Sequence, residues 1–226
     1  MVQNIGSEGK MKSHLLILIF LLFVCQTLMG VENGIMGGIG SVGYTGSDVI
    51  NLESYGINIH DKMGFYASYF HFTDEKNNFQ WRSELSITNR GAKLSGNFLG
   101  LAEIDGSNNL WYVGVPVTAI LNVSHNANSR LYSGAGLSAN FAISGNSESH
   151  SEGETYHSDM YDNMNVLTIG YQLCVGVNFT HSLMEIRYDR SLGHIFKDSG
   201  SDSESKSDSG LSVYNDAFWF LVGIKI

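Results

Sequence analysis

A single proline, two cysteines and 15% charged residues mark what this 226-residue sequence withholds. With Pro116 alone, a proline-rich spacer or recognition segment is excluded. Cys25 falls inside the leader described below, so the mature chain keeps only Cys174 and has no partner for an internal disulfide. Thirteen dispersed Lys and Arg residues against twenty-two Asp and Glu give a formal net charge of −9. Affinity for a phosphate backbone needs clustered cations that release counterions, so no nucleic-acid partner is expected. No apolar run reaches the roughly 20 residues of a bilayer-crossing helix, which excludes a helical membrane protein.

What is abundant is glycine, with 26 residues, and aromatic side chains, at 12%. Strand formers and glycine, with few helix-favouring charges, indicate an all-β class, and the length suits one domain. Lys10 and Lys12 precede the apolar run Leu15 to Val24, and small or polar residues follow towards Gly30. These are the three regions of a secretory signal peptide, with Met11 an alternative start. Residues 1–30 are therefore read as an N-terminal extension and leader, and 31–226 as one exported domain. Phe23 and Val24 are bulky where a lipoprotein cleavage site requires small residues, which argues against lipid attachment at Cys25.

The clearest pattern runs from Asn165 to Thr180, where Leu167, Ile169, Tyr171, Leu173, Val175, Val177 and Phe179 alternate with Thr168, Gly170, Gln172, Cys174, Gly176 and Asn178. This is strict period-two alternation, longer than a globular strand and sufficient for a tilted membrane strand of about 9–11 residues. Leu131 to Ser144 and the final segment Ala217 to Ile226 repeat it. Strands are predicted near 33–45, 63–73, 79–90, 109–122, 130–144, 165–179, 182–195 and 212–226. The connections 46–62, 91–108, 145–164 and 196–211 are long, while 74–78, 123–129 and 180–181 are short. Long outer loops and short periplasmic turns define a closed antiparallel transmembrane β-barrel of eight strands in the outer membrane of a diderm bacterium. Val49 to Ile59 alternates weakly, and counting it as a strand leads to ten. The acidic, polar stretches 145–162 and 197–210 are predicted to be mobile.

The segments SELSITNRGAK (83–93), YVGVPVTAIL (112–121), YSGAGLSANFAIS (132–144), IGYQLCVGVNF (169–179), LMEIRYDRSLGHI (183–195) and FWFLVGIKI (218–226) occur in an order that resembles the bacterial outer-membrane β-barrel family that includes PorT-like proteins. The resemblance covers most of the mature chain and carries over Glu84, Gly91, Pro116, Gly134, Arg187, Tyr188 and Gly193 as matching positions. Gly114 stands where an acidic residue is common, and Ile226 where the terminal Phe recognised by the barrel-assembly machinery is usual. What the resemblance implies is a fold and a location more than an activity.

Strand parity places Trp81, Leu85 and Ile87 towards lipid and Arg82 and Glu84 inside. On the seventh strand it leaves Glu185, Arg187 and Asp189 inside. The two strands face each other across an eight-strand ring whose interior is only wide enough for side chains to fill. Arg82, Glu84, Glu185, Arg187 and Asp189 are thus expected to form a lumen ion-pair network that plugs or gates the pore. Gly38 to Gly43 fits a GxGxxG fingerprint, but turn residues rather than a helix follow it, so a glycine-rich first strand is expected and no cofactor. His150, His157, Glu152, Glu154 and Asp159 match no metal-site spacing. No Gly-x-Ser-x-Gly elbow occurs, Cys174 stands alone, and His194 lacks a fixed partner, so no enzyme is expected. The function expected is a structural or surface-interaction barrel with a polar, charge-plugged lumen. Its partners would be outer-membrane lipid, the assembly machinery and an extracellular ligand met through 145–162 and 196–211. The alternatives are a narrow channel for small solutes and a soluble, lipocalin-like periplasmic binder.

Overall fold

The computed structural model describes residues 32–76, 78–98, 102–126, 129–151, 154–196 and 212–226. The predicted leader and most of the 196–211 segment lie outside them. Among the described residues eleven strands run in chain order as β1 (Glu32–Thr45), β2 (Ile57–His60), β3 (Lys62–Phe72), β4 (Phe79–Arg90), β5 (Lys93–Phe98), β6 (Ala102–Asn126), β7 (Ser129–Ser151), β8 (Glu154–Asp159), β9 (Leu167–Phe179), β10 (Ser182–Ser191) and β11 (Tyr214–Lys225). One helix, α1 (Ser47–Ser54), separates β1 from β2.

Eight of the strands close a ring in the order β1-β3-β4-β6-β7-β9-β10-β11, with β11 pairing back onto β1. Every ring contact is antiparallel, from Gly34↔Lys225 at the closing seam to Ser129↔Phe179 between β7 and β9. The eight predicted strands are the eight of the ring. The ten-strand alternative fails: Val49 to Ile59 folds as α1 and the four-residue β2, which pairs only with β5 outside the ring.

A second departure concerns the segments expected to be loops. β6 and β7 run on past the ring, and β5 and β8 pair to their outer ends. The result is a five-stranded sheet in the order β2-β5-β6-β7-β8 standing above the barrel. The stretch 145–162, expected to be mobile, is instead paired from Asn146↔Asp159 to Ser151↔Glu154. Backbone hydrogen bonding holds it there without an apolar stripe, and for that reason polarity alone misled. The 197–210 expectation falls outside the described residues.

Side-chain parity follows the strands. Ile39, Phe65, Ile87, Leu137, Leu173 and Phe220 stand exposed on the outside, forming the belt that hydrocarbon covers. Aromatic pairs mark its two borders: Phe79 lies edge-on to Trp81 at 5.3 Å near the short turns, and Tyr171 meets Tyr188 at 6.1 Å near the long connections. This belt is opposite to the inward-facing apolar pattern of a lipocalin-like binder.

Inside, polar and apolar side chains are mixed: Thr88, Thr118, Asn140, Thr168 and Gln172 are buried on the inner faces of β4, β6, β7 and β9, and apolar groups gather at the two ends. Met36, Phe70, Phe72, Leu183 and Leu221 fill the end near the short turns. Leu110, Tyr112, Met164, Ile195 and Val213, with Val49 from α1, close the opposite end. Glycines on inner faces make room for the largest of these groups. A Cβ on Gly40 would come within 2.6 Å of the Trp219 ring, and one on Gly38 within 2.9 Å of Leu221. Gly38 and Gly40 of the GxGxxG spacing are thus fitted to the core, and the third, Gly43, lies against Asp61. At Gly91, φ of +140° takes the chain out of β4 towards β5, a backbone state open mainly to glycine.

Lysine in place of Leu173, which is 51% exposed at the centre of β9, is expected to cost roughly 2–4 kcal/mol of folding free energy. Urea unfolding in phospholipid vesicles measures it, and an unchanged value would contradict the assigned faces.

Candidate functional site

On β4 the even-numbered positions point inward, and on β10 the odd-numbered ones do. This puts Arg82, Glu84, Glu185 and Arg187 in one fully buried layer between the two apolar ends. The arrangement is a closed square of alternating charge. Arg82 grips Glu185 from across the ring with two donors, Nη1 to Oε2 at 2.5 Å and Nη2 to Oε1 at 3.1 Å. Arg187 donates from Nε to Glu185 Oε1 at 2.7 Å and from Nη2 to Glu84 Oε1 at 2.8 Å. The fourth side is Arg82 Nε, 2.9 Å from Glu84 Oε1.

Hydroxyl donors complete the carboxylates. Tyr66 and Ser68 of β3 donate to Glu84 Oε2 at 2.6 and 3.0 Å, and Tyr132 of β7 donates to Glu185 Oε2 at 2.7 Å. Tyr66 accepts in turn from Arg187 Nη1 at 2.6 Å, with the guanidinium 4.9 Å over its ring. Two cations and two anions sum to zero, and all four carboxylate oxygens have partners, the condition under which buried charge is tolerable. The square also ties β4 to β10 through the middle of the barrel.

Asp189 is not a corner of the square. It lies further out, where Arg90 Nη2 reaches its Oδ2 at 3.1 Å and Trp219 Nε1 donates to the same oxygen at 2.9 Å. The four other predicted residues are brought together, and Asp189 has a pair of its own. Arg90, Tyr66, Ser68, Tyr132 and Trp219 were missed by sequence reasoning. Arg90 shares the inward parity of Arg82 and Glu84, so extending the parity argument to the end of β4 was the signal that could have found it.

The positions carried over by resemblance have separate roles. Glu84 and Arg187 are corners of the square. Pro116 sits beside Glu84: the β4–β6 ladder is registered at Ser83↔Val117 and Ser86↔Gly114 and skips the two positions between, where proline has no N–H to give. A Cβ at Gly134 would come within 2.7 Å of Ile120 and 2.9 Å of the Cys174 sulfur. Tyr188 faces outward in the aromatic border, and a Cβ on Gly193 would meet nothing within 4 Å. Elsewhere, His194 packs at 5.2 Å against Tyr214 near the outer rim. Among the described residues no group of three His, Cys, Asp or Glu could hold a metal ion.

Arg187→Ala removes one corner and leaves two buried carboxylates short of charge, so it should cost about 3–5 kcal/mol. Arg190→Ala, breaking a partly exposed pair with Asp216, should cost under about 1 kcal/mol. Paired unfolding curves in vesicles check the contrast; equal effects would deny the square its energetic weight.

The sequence matches the family described as outer membrane protein beta-barrel domain over residues 30–197. A comparison with curated proteins gives no match. Among solved structures, the attachment invasion locus protein Ail of Yersinia pestis is similar at 15% identity with a TM-score of 0.40, covering 88% of this chain and 99% of Ail. Neisserial surface protein A is similar at 14% identity with a TM-score of 0.41, covering 86% of this chain and 97% of its own. The match to the family extends over most of the chain and agrees with the closed ring and its oily belt: the protein belongs to the outer membrane protein beta-barrel domain family and resides in the outer membrane.

Proposed function

We propose that this protein is a non-conducting, non-enzymatic surface barrel that anchors a folded sheet outside the cell for contact with extracellular material. The observation that carries the reading is the filled lumen. Apolar side chains gather at both ends of the interior around a neutral square of four buried charges, with buried polar groups such as Thr118, Asn140 and Gln172 set among them, and a section so filled with side chains supports a closed barrel. The largest set of buried ionisable groups is consumed in mutual pairing, which supports a structural part for it rather than a catalytic one. The sheet β2-β5-β6-β7-β8 lies on the side of the long connections, the outer side in barrels of this kind, and it supports the contact role.

Purified protein in a planar bilayer should give no steady conductance above that of the bare membrane; stable open levels would sink the closed reading in favour of a narrow channel. Orientation has its own test. Ser158→Cys, on exposed β8, should react with a membrane-impermeant maleimide in intact cells, whereas Cys174 of the parent is buried and should stay unlabelled. Labelling of Ser158→Cys only after cell disruption would place the sheet on the wrong side.

A further inference from the structure

The sheet that stands clear of the ring has two edges, β2 and β8. An edge strand offers its N–H and C=O groups to any strand that comes alongside, and natural edges are shielded against this by shortness, cover, charge or proline. β2 is four residues long, has α1 against it and buries Ile57. β8 lacks these shields. All six of its side chains are exposed, no proline interrupts it, and its two acidic residues, Glu154 and Asp159, stand only at its ends. Among the described residues it pairs with β7 alone.

The ladder shows which groups are on offer. Met160 N donates to Gly145 O at 2.8 Å, and this bond sets the alternation between β7 and β8. Glu154, Tyr156 and Ser158 turn their N–H and C=O groups towards β7, whereas Thr155, His157 and Asp159 turn theirs to the open side. The local side-chain bonds, Tyr156 to Glu154 at 2.8 Å and Tyr161 N to Asp159 Oδ1 at 2.8 Å, leave those main-chain groups unused.

The strand that fits this edge best is β8 itself. Edge-facing positions must meet edge-facing positions, so in an antiparallel pair odd numbers meet odd and even meet even. Glu154 and Asp159 then never stand opposite each other. The fullest overlap centres on His157: Thr155 of one copy faces Asp159 of the other, Tyr156 faces Ser158, and the two imidazoles meet as donor and acceptor. A hydroxyl lies against each Asp159 carboxylate, and no acidic pair is opposed.

Direction decides where the second copy sits. In every copy β8 runs back towards the barrel, antiparallel to β7. Two copies upright in one membrane bring their β8 strands together parallel, which is the weaker pairing and sets Glu154 beside Glu154 and Asp159 beside Asp159. Copies on facing membranes bring them together antiparallel. We propose that β8 pairs with β8 of a second copy on a facing membrane, joining the two outer sheets into one. The inference rests on the outer sheet standing outside the cell.

Vesicles bearing the full chain test it. Asn58→Cys, exposed on the far edge of the same sheet, reports with an impermeant maleimide how many chains face outward. Two vesicle populations carrying different fluorophores should cluster, and His157→Pro should abolish the clustering. Proline there removes an N–H that faces the open side, so the β7–β8 ladder stays whole, and heat-modifiable electrophoretic mobility verifies the fold. His157→Val, which keeps the main chain, should cluster as the parent does. Under mild oxidation His157→Cys should cross-link chains from the two populations, because opposed hydrogen-bonded residues have Cα atoms about 5.5 Å apart, within disulfide reach; Glu154→Cys should not. Outward-facing chains that leave the vesicles dispersed, clustering undiminished in His157→Pro, or cross-links confined to one population would each overturn the pairing. Labelling of Ser158→Cys in intact cells bears on the side of the sheet alone, so a failure of that reading and a failure of the pairing are told apart.

Discussion

Hydrocarbon offers no hydrogen-bond partner to a peptide group, and this constraint governs the rest of the molecule. Every strand within the membrane must have two neighbours, so the first and last strands of the chain have to meet. They do so along the full β1–β11 seam, from Gly34↔Lys225 to Thr45↔Tyr214. Closure with eight strands then sets the inner diameter, and the diameter decides what the interior can hold. Inward positions near the seam are glycine, at 38 and 40, because Leu221 and Trp219 already occupy the space.

In so narrow a ring, side chains on opposite walls reach one another. Arg82 and Glu185 are 103 residues apart in the chain and make a two-pronged contact across the lumen. Removing charge from water is costly, and the cost is offset here only because each carboxylate oxygen is met by a guanidinium, a tyrosine or a serine. The same narrowness explains Pro116. A proline in a ring strand forfeits a ladder bond, and the gap stands beside Glu84, whose side chain is engaged inward with Arg187, Tyr66 and Ser68.

Much of the ring was legible in the sequence because lipid and lumen demand opposite side chains at successive positions. Leu167 to Phe179 could hardly be read otherwise, and the parity that turned Leu85 and Ile87 outward turned Arg82 and Glu84 inward. Which charges would pair was harder. Asp189 has the parity of Arg187 but stands two residues further along β10, where Arg90 is in reach, and parity alone does not say which level of the opposite wall a side chain meets. The outer sheet was illegible for a different reason. Above the membrane neither face of β8 has to be oily, so Glu154 to Asp159 shows no alternation, and its polarity imitates a mobile loop. The ten-strand alternative rests on the weak alternation of Val49 to Ile59, which the chain divides between α1 and the short β2 outside the ring.

The uninterrupted lengths of β6 and β7, 25 and 23 residues, have a mechanical meaning. Both strands stay unbroken from the part above the bilayer to the part embedded in it, with a register shift at Trp111/Tyr112, where β7 carries the extra residue Ile143. A tug on the outer sheet therefore enters the wall as shear shared among many parallel hydrogen bonds, the loading geometry in which a ladder is strongest. Whatever this surface holds, it holds through two girders rooted in the membrane rather than through a tether.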